Sequence, residues 1–333
     1  MENNRRLVDW DDTYVSTGHL PPSQQVAEYV AEAHSLFSSD EAGQVSQVYP
    51  ALAEMPSAYF GVSMVDTSGN VFEAGETTTE FTIMSVSKPF LFALICDRLG
   101  SATVKQKIGM NATGLGFNSL TGIERNAEGL TNPMVNAGAI ASTSLALGGT
   151  LEERWSFILE GLSRFAGREL RVNQEVYDSA SETNFRNRSI VWLLHSFGRV
   201  YCDPLEALEL YTRQCSLDVS AHDLAVMGAT LADGGFNPVS RDQVVSPETC
   251  HYTLAAMLTA GMYETSGDWL YEVGLPGKSG IGGGIVTVSP GKGGLGTFAP
   301  PLDAAGNSVK GQLATRYLSQ RLGLDLLLSK PVR

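Results

Sequence analysis

The sequence offers little that would carry metal, membrane or nucleic-acid chemistry. Its 333 residues include only five histidines and four cysteines. Cys96, Cys202, Cys215 and Cys250 are scattered, with no Cys-x-x-Cys pair and no histidine at metal-ligand spacing. That pattern predicts reduced, mostly buried thiols rather than a metal site or a disulfide framework. Positive charge is also scarce. Against 36 Asp and Glu stand 23 Lys and Arg, a net charge of -13, so nucleic acid and anionic lipid would be repelled. No apolar run reaches the ~18 residues of a membrane helix. Met1 to Asp12 hold no apolar h-region, so a signal peptide is not expected. The expectation is a cytoplasmic enzyme with a small-molecule substrate and no nucleic-acid or membrane partner.

Apolar residues make up 43% of the chain, enough for one large core or two smaller ones. No repeat or low-complexity stretch interrupts it. Residues 1–22 read as a polar arm, and Pro21-Pro22-Ser23 signals a helix carrying Val26, Tyr29, Val30, Ala33 and Phe37 on one face. The period then changes to two. Tyr59 to Val65 and Val71 to Gly75 flank a short polar loop and predict a β-hairpin. A second hairpin is predicted at Ile285 to Val288 and Leu295 to Phe298, around the turn Pro290 to Gly294. Between the hairpins the spacing is helical: Trp155, Ile158, Leu159, Leu162 and Phe165 stop at Gly167, and another helix runs from about Ala221 to Gly234. A last helix, about 308–322, carries Val309, Leu313, Tyr317 and Leu318. The layout is α+β, with both hairpins in one antiparallel sheet flanked by the terminal helices. The expected unit is a single catalytic domain, residues 23–333. It comprises a sheet lobe (23–100 and 266–333) and a helical lobe (101–265), with a ligand site at their seam.

One short pattern carries chemistry. Ser85-Val86-Ser87-Lys88 follows a strand-like segment, Glu80 to Ile83, and precedes an apolar run. Pro89 has no N–H to donate, so it belongs in a first helical turn and places the helix start close to Ser85. Ser85 and Lys88 would then share one face. A serine hydroxyl is a weak nucleophile, and a lysine in a dry site can lose its proton and act as its base. A helix N-terminus favours charge developing on an attacked carbonyl. The pattern alone equally describes a capping serine followed by a surface lysine. Gly277-Lys278-Ser279-Gly280, just before the last hairpin, adds weight, because its glycines let backbone approach a substrate and lend an N–H to an oxyanion hole. A phosphate loop is a poor reading of Gly280 to Gly284, since no helix follows.

From about Ala27 to Leu322 the chain resembles the serine-dependent glutaminases. The resemblance rests on Phe81 to Pro89, Asn132 to Ile140, Arg186-Asn187, Gly234 to Pro238, Gly261-Met262-Tyr263, Gly274 to Gly284, and Pro300 to Val309. It implies a β-lactamase/DD-peptidase-like fold and a cofactor-free hydrolase of linear amides. That enzyme would cut the side-chain amide of glutamine through an acyl-enzyme. It further implies that Ser85 is the nucleophile, Lys88 the base, and Tyr263 the hydroxyl that protonates the leaving amine. The N–H groups of Ser85 and Ile281 would form the oxyanion hole. Asn136, Asn187 and Tyr211 would hold the α-carboxylate end of the substrate. A homodimer or homotetramer is implied in the same way. Without the resemblance, Asn136 reads as a turn residue, Asn187 as an ordinary helix-face residue, Tyr211 as core and Tyr263 as a surface aromatic. Lys278 reads either as an electrostatic helper or as a strand lysine with a structural ion pair.

Two positions depart from the family pattern. A pocket tyrosine of the family falls on Val48, with Tyr49 one residue later and its side chain re-aimed. A glutamate that pairs with the substrate's α-ammonium falls on Ala180, and Asp178 and Glu182 nearby point elsewhere on any regular backbone. The same chemistry on a glutamine-like amide with an altered or absent α-amino group therefore stands beside plain glutamine hydrolysis. Two other classes remain. A penicillin-recognising hydrolase or transpeptidase is disfavoured by the missing Ser-x-Asn element. A non-catalytic pocket protein is disfavoured by the intact Ser85, Lys88, Tyr263 and Lys278.

Overall fold

The computed structural model describes residues 18–328; most of the expected N-terminal arm lies outside them. Five antiparallel strands form the main sheet, in the order Val71–Gly75, Gly61–Asp66, Gly293–Phe298, Gly284–Ser289 and Gly277–Ser279. Both expected hairpins are present, and they join where Gly61 pairs with Phe298 and Val65 with Gly294. Every residue of the two strands Gly284–Ser289 and Gly293–Phe298 is buried, so these central strands are covered on both faces.

Alternation along the strands separates two cores. Val62, Met64, Ile285 and Leu295 pack with Val26, Val30, Ala314 and Leu318 from the terminal helices Ser23–Phe37 and Val309–Arg321. Val286, Val288 and Phe298 face the opposite way, into a core shared with Phe90, Leu94, Leu162, Met227 and Leu231. The helix Ala221–Ala232 lies between that sheet face and the helical region, and all but one of its residues are buried. It begins with a reciprocal cap: Asp223 N–H donates to Ser220 Oγ at 3.2 Å, and Ser220 N–H donates to Asp223 Oδ2 at 2.8 Å.

This helix sits directly on the strand Gly293–Phe298. A Cβ at Gly296 would run into the backbone of Ala221 and Ala225, and one at Gly294 into Ala229 and Ala225. Backbone cannot rotate away as a side chain can. Gly296→Ala is therefore expected to cost about 1–3 kcal/mol, seen as a Tm lowered by several degrees in a thermal melt.

The strand-like segment Glu80 to Ile83 forms a strand of two residues. Phe81–Thr82 pairs with Leu217–Val219, which pairs with Arg171–Val172, in a separate three-stranded sheet. Phe81 stacks on Phe298 at 4.1 Å between ring centroids. The segment entering Ser85 is thus pinned to the helical region by hydrogen bonds and to the main sheet by an aromatic contact. Among the described residues no helix is long and apolar enough to cross a membrane, and all four cysteines are free.

Candidate active site

Ser85 stands in a single 3-10 turn, Met84–Val86, and the α-helix proper starts at Ser87. The sequence placed that start slightly early, because Pro89 only limits it to within a turn. The displacement matters locally. Met84 takes a left-handed φ of 46°, an unfavourable backbone for a side chain with a Cβ, at about 1–3 kcal/mol. Its neighbours hold it there: Ile83 N–H donates to Leu217 O at 2.8 Å, and Ser87 Oγ donates to Met84 O at 2.8 Å. Gln214 Nε2 in turn donates to Ser87 Oγ at 2.9 Å. The turn is braced on both sides, and Ser85 lines the adjoining cleft.

Lys88, one turn on, is buried with 1% of its surface exposed. Its Nζ donates to Asn136 Oδ1 at 2.6 Å and reaches Met134 O at 3.5 Å. No carboxylate compensates the charge. Burial pushes the ammonium down to about 8, opposed by the nearby Cys215. Asn136 opens the helix Asn136–Thr143 and connects the lysine to the cleft. Its Oδ1 also accepts from the Tyr211 hydroxyl at 3.2 Å, and its Nδ2 donates to Asn187 Oδ1 at 3.0 Å. Three residues that resemblance alone had grouped form one hydrogen-bonded cluster on Lys88. All three line the cleft.

Tyr263 is buried, contrary to its reading as a surface aromatic, and it too has a left-handed backbone, φ 54°. Burial raises its phenol above the usual range, and the Ser85 hydroxyl beside it pulls the other way. The two hydroxyls are neighbours short of a well-formed hydrogen bond, for the buried phenol oxygen has no partner of good geometry. Lys278 lies against this ring, with Nζ 4.4 Å from its centroid. The alternative of a structural ion pair is not what the structure has: Nζ donates to Gly261 O at 2.8 Å and Ser279 O at 2.7 Å. Burial first, and then Lys88, hold this lysine well below the ordinary range.

The Lys278 strand brings the glycine-rich loop onto the serine turn. A Cβ at Gly280 would stand 3.0 Å from Ile83 O and 3.4 Å from Ser85 N, so the loop and the serine turn approach closely where glycine leaves room. Gly280 and Gly283 N–H groups are used within the loop, whereas the Ile281 N–H donates to no partner among the described residues. Ile281 lines the cleft beside Ser85. The Ile281 N–H is therefore a main-chain donor available in the cleft that Ser85 lines.

The cleft measures about 150 Å³. Val48 lies at its rim, 57% exposed, and Tyr49 also lines it, its hydroxyl pushed up to about 12 by burial and then by Cys215. Ala180 faces the cleft from the helix Gln174–Thr183, while Asp178 and Glu182 are exposed and do not line it. Sequence reading missed Phe117, whose ring packs 4.6 Å from that of Tyr263, and Asn184, Thr212 and Cys215, which also line the cleft. Cys215 had a usable signal, since it follows Tyr211 by four residues on the helix Pro204–Cys215 and shares its face. Phe117, in a loop, had none.

These side chains come from segments spread over nearly the whole chain, and so does its kinship. A family model described as Glutaminase matches residues 43–327. Glutaminase 2 of Yersinia pestis is 63% identical over 330 residues, 99% of this chain and 96% of that protein. A solved structure described as probable glutaminase ybaS superposes with a TM-score of 0.91 at 42% identity, covering 93% of this chain and all of that one. Another, described as Mglu in its L-glutamate binding form, gives 0.86 at 36% identity, covering 92% of this chain and 70% of that one. The fold is the β-lactamase-like one of these neighbours, and the chain belongs to the glutaminase family.

Proposed function

We propose that this protein hydrolyses the side-chain amide of L-glutamine to glutamate and ammonia through an acyl-enzyme on Ser85. The observation that carries the mechanism is Lys88: buried, without a carboxylate, one turn from a cleft-lining serine. Lys88 in its neutral form takes the Ser85 proton as Oγ attacks the amide carbon. The oxyanion is held by the N–H groups of Ser85 and Ile281. As the tetrahedral intermediate collapses, the C–N bond breaks, and the Tyr263 hydroxyl gives its proton to the leaving nitrogen, which departs as ammonia. Lys88 returns its proton to the phenolate, and water, deprotonated in the same manner, then releases glutamate. Lys278 positions Tyr263 from behind its ring, and Asn136, Asn187 and Tyr211 bind the α-carboxylate end. The relative solved in an L-glutamate binding form supports glutamate as the product.

Residues 23–333 are read as one catalytic domain, supported by a family match from 43 to 327 and a cleft lined from both the sheet-side loop at Ile281 and the helical region. The free thiols support a reducing, cytoplasmic setting; assembly as a dimer or tetramer rests on family resemblance.

Hydroxylamine tests the acyl-enzyme. Added to the glutamine reaction, it should divert product from glutamate to γ-glutamyl hydroxamate while ammonia release continues. Hydrolysis of glutamine with no hydroxamate at any hydroxylamine concentration would count against a covalent intermediate. Asn136 supplies a second test. Asn136→Asp puts a carboxylate where Lys88 Nζ now meets an amide oxygen at 2.6 Å. The charge favours the protonated lysine, so the acidic limb of the kcat/KM profile should move to higher pH by about one unit or more.

A further inference from the structure

An α-ammonium is a unit charge with three donors, and holding it in a cleft without an anion is costly. This cleft offers no anion. No Asp or Glu lines it among the described residues, and its one charged side chain, Arg186, has the repelling sign. Glu182, on the same helix as Ala180, is exposed and does not line the cleft; three other carboxylates nearby are committed elsewhere. Asp178 is exposed and accepts from Gln174 Nε2 at 2.7 Å. Glu264 accepts from Phe117 N–H at 3.2 Å. Asp303 accepts from the N–H groups of Ala305, Gly306 and Asn307.

What the cleft presents instead is neutral and roomy. Ala180 leaves open the space that a longer side chain would fill. Four residues on, at the end of the same helix, Asn184 is buried and lines the cleft. Its Nδ2 donates to Thr212 Oγ1 at 3.2 Å, and its Oδ1 accepts no hydrogen bond among the described residues. A secondary amide carries one N–H and no charge, the complement of one free neutral acceptor. Beyond it the rim is open, since Val48, Thr183 and Arg186 are all exposed, so an acyl extension can leave toward solvent.

We infer that the cleft is selective for γ-amide substrates whose α-nitrogen is acylated, as in N-acetyl-L-glutamine. Ala180 and Asn184 are the residues that set this preference. The inference rests on the γ-amide hydrolase reading and concerns only the opposite end of the substrate.

The test compares kcat/KM for N-acetyl-L-glutamine and L-glutamine on the full chain, by ammonia release. The acylated compound should be the better substrate by about ten-fold or more, the scale of one neutral hydrogen bond gained and an unpaired ammonium avoided. L-Glutamine equal or better would overturn the inference and leave the hydrolase reading intact. Release from neither compound would sink that reading first. Ala180→Glu should swing the ratio toward L-glutamine by about ten- to a hundred-fold, and an unmoved ratio in the folded variant counts against the proposal. Should that variant not fold, Asn184→Ala decides: it should lower kcat/KM several-fold more for the acylated substrate than for L-glutamine, and an equal loss on both would contradict the assignment.

Discussion

Ser85→Ala should lower the rate of ammonia release from glutamine by about four orders of magnitude or more, the usual cost of deleting a covalent nucleophile. The fold should survive, since the change removes one oxygen from a side chain that is 8% exposed and lines the cleft. Product binding provides the control. Glutamate should bind the variant within a few-fold of the wild-type affinity, because Asn136, Asn187 and Tyr211 remain in place. Retained hydrolysis by a correctly folded Ser85→Ala protein would mean that water attacks directly and that no acyl-enzyme forms.

Lys88→Met should abolish turnover to a similar degree and raise stability. The lysine is destabilising because it is buried, and its ammonium lies near 8 in the fold against 10.5 for an unperturbed side chain. The sign follows from proton counting. Between these values the unfolded chain holds the proton and the folded chain does not, so stability rises with pH across that window. Below about 8 the full penalty applies, on the order of 3 kcal/mol for a shift of this size. Methionine removes the penalty and keeps the volume, at the loss of the bond to Asn136, worth about 1 kcal/mol. A Tm at neutral pH above that of the wild type, in an inactive protein, is the expected pair of results. A lowered Tm would show that the Asn136 contact outweighs desolvation. The strained turn at Met84 fits the same pattern, in which the site holds groups the rest of the fold must compensate.

Local chemistry made much of this legible in the sequence. The segments Ile285 to Val288 and Leu295 to Phe298 around the turn Pro290 to Gly294 showed the hairpin, and Gly167, with φ 72°, stops its helix as a left-handed cap should. Ser85 and Lys88 were visible because a helical turn places them together. Contacts between distant segments were not. Lys88 and Asn136 are 48 residues apart, and no periodicity marks an asparagine that bridges a lysine, a tyrosine and a second asparagine. The Lys278 partners are backbone carbonyls, which leave no side-chain signature. Asn184 escaped notice for a related reason: its importance depends on Ala180 leaving space and on Thr212 taking its amide nitrogen. Resemblance grouped Asn136, Asn187 and Tyr211, but only coordinates show that they converge on the base.

The pH dependence of acylation tests the central claim, that an uncharged Lys88 takes the serine proton. Followed by hydroxamate formation between about pH 6 and about pH 10, the wild-type rate should rise by a single ionisation with an apparent pKa near 8 and then level off. A rate independent of pH across that range, or a limb that stays where it is in Asn136→Asp, would contradict it.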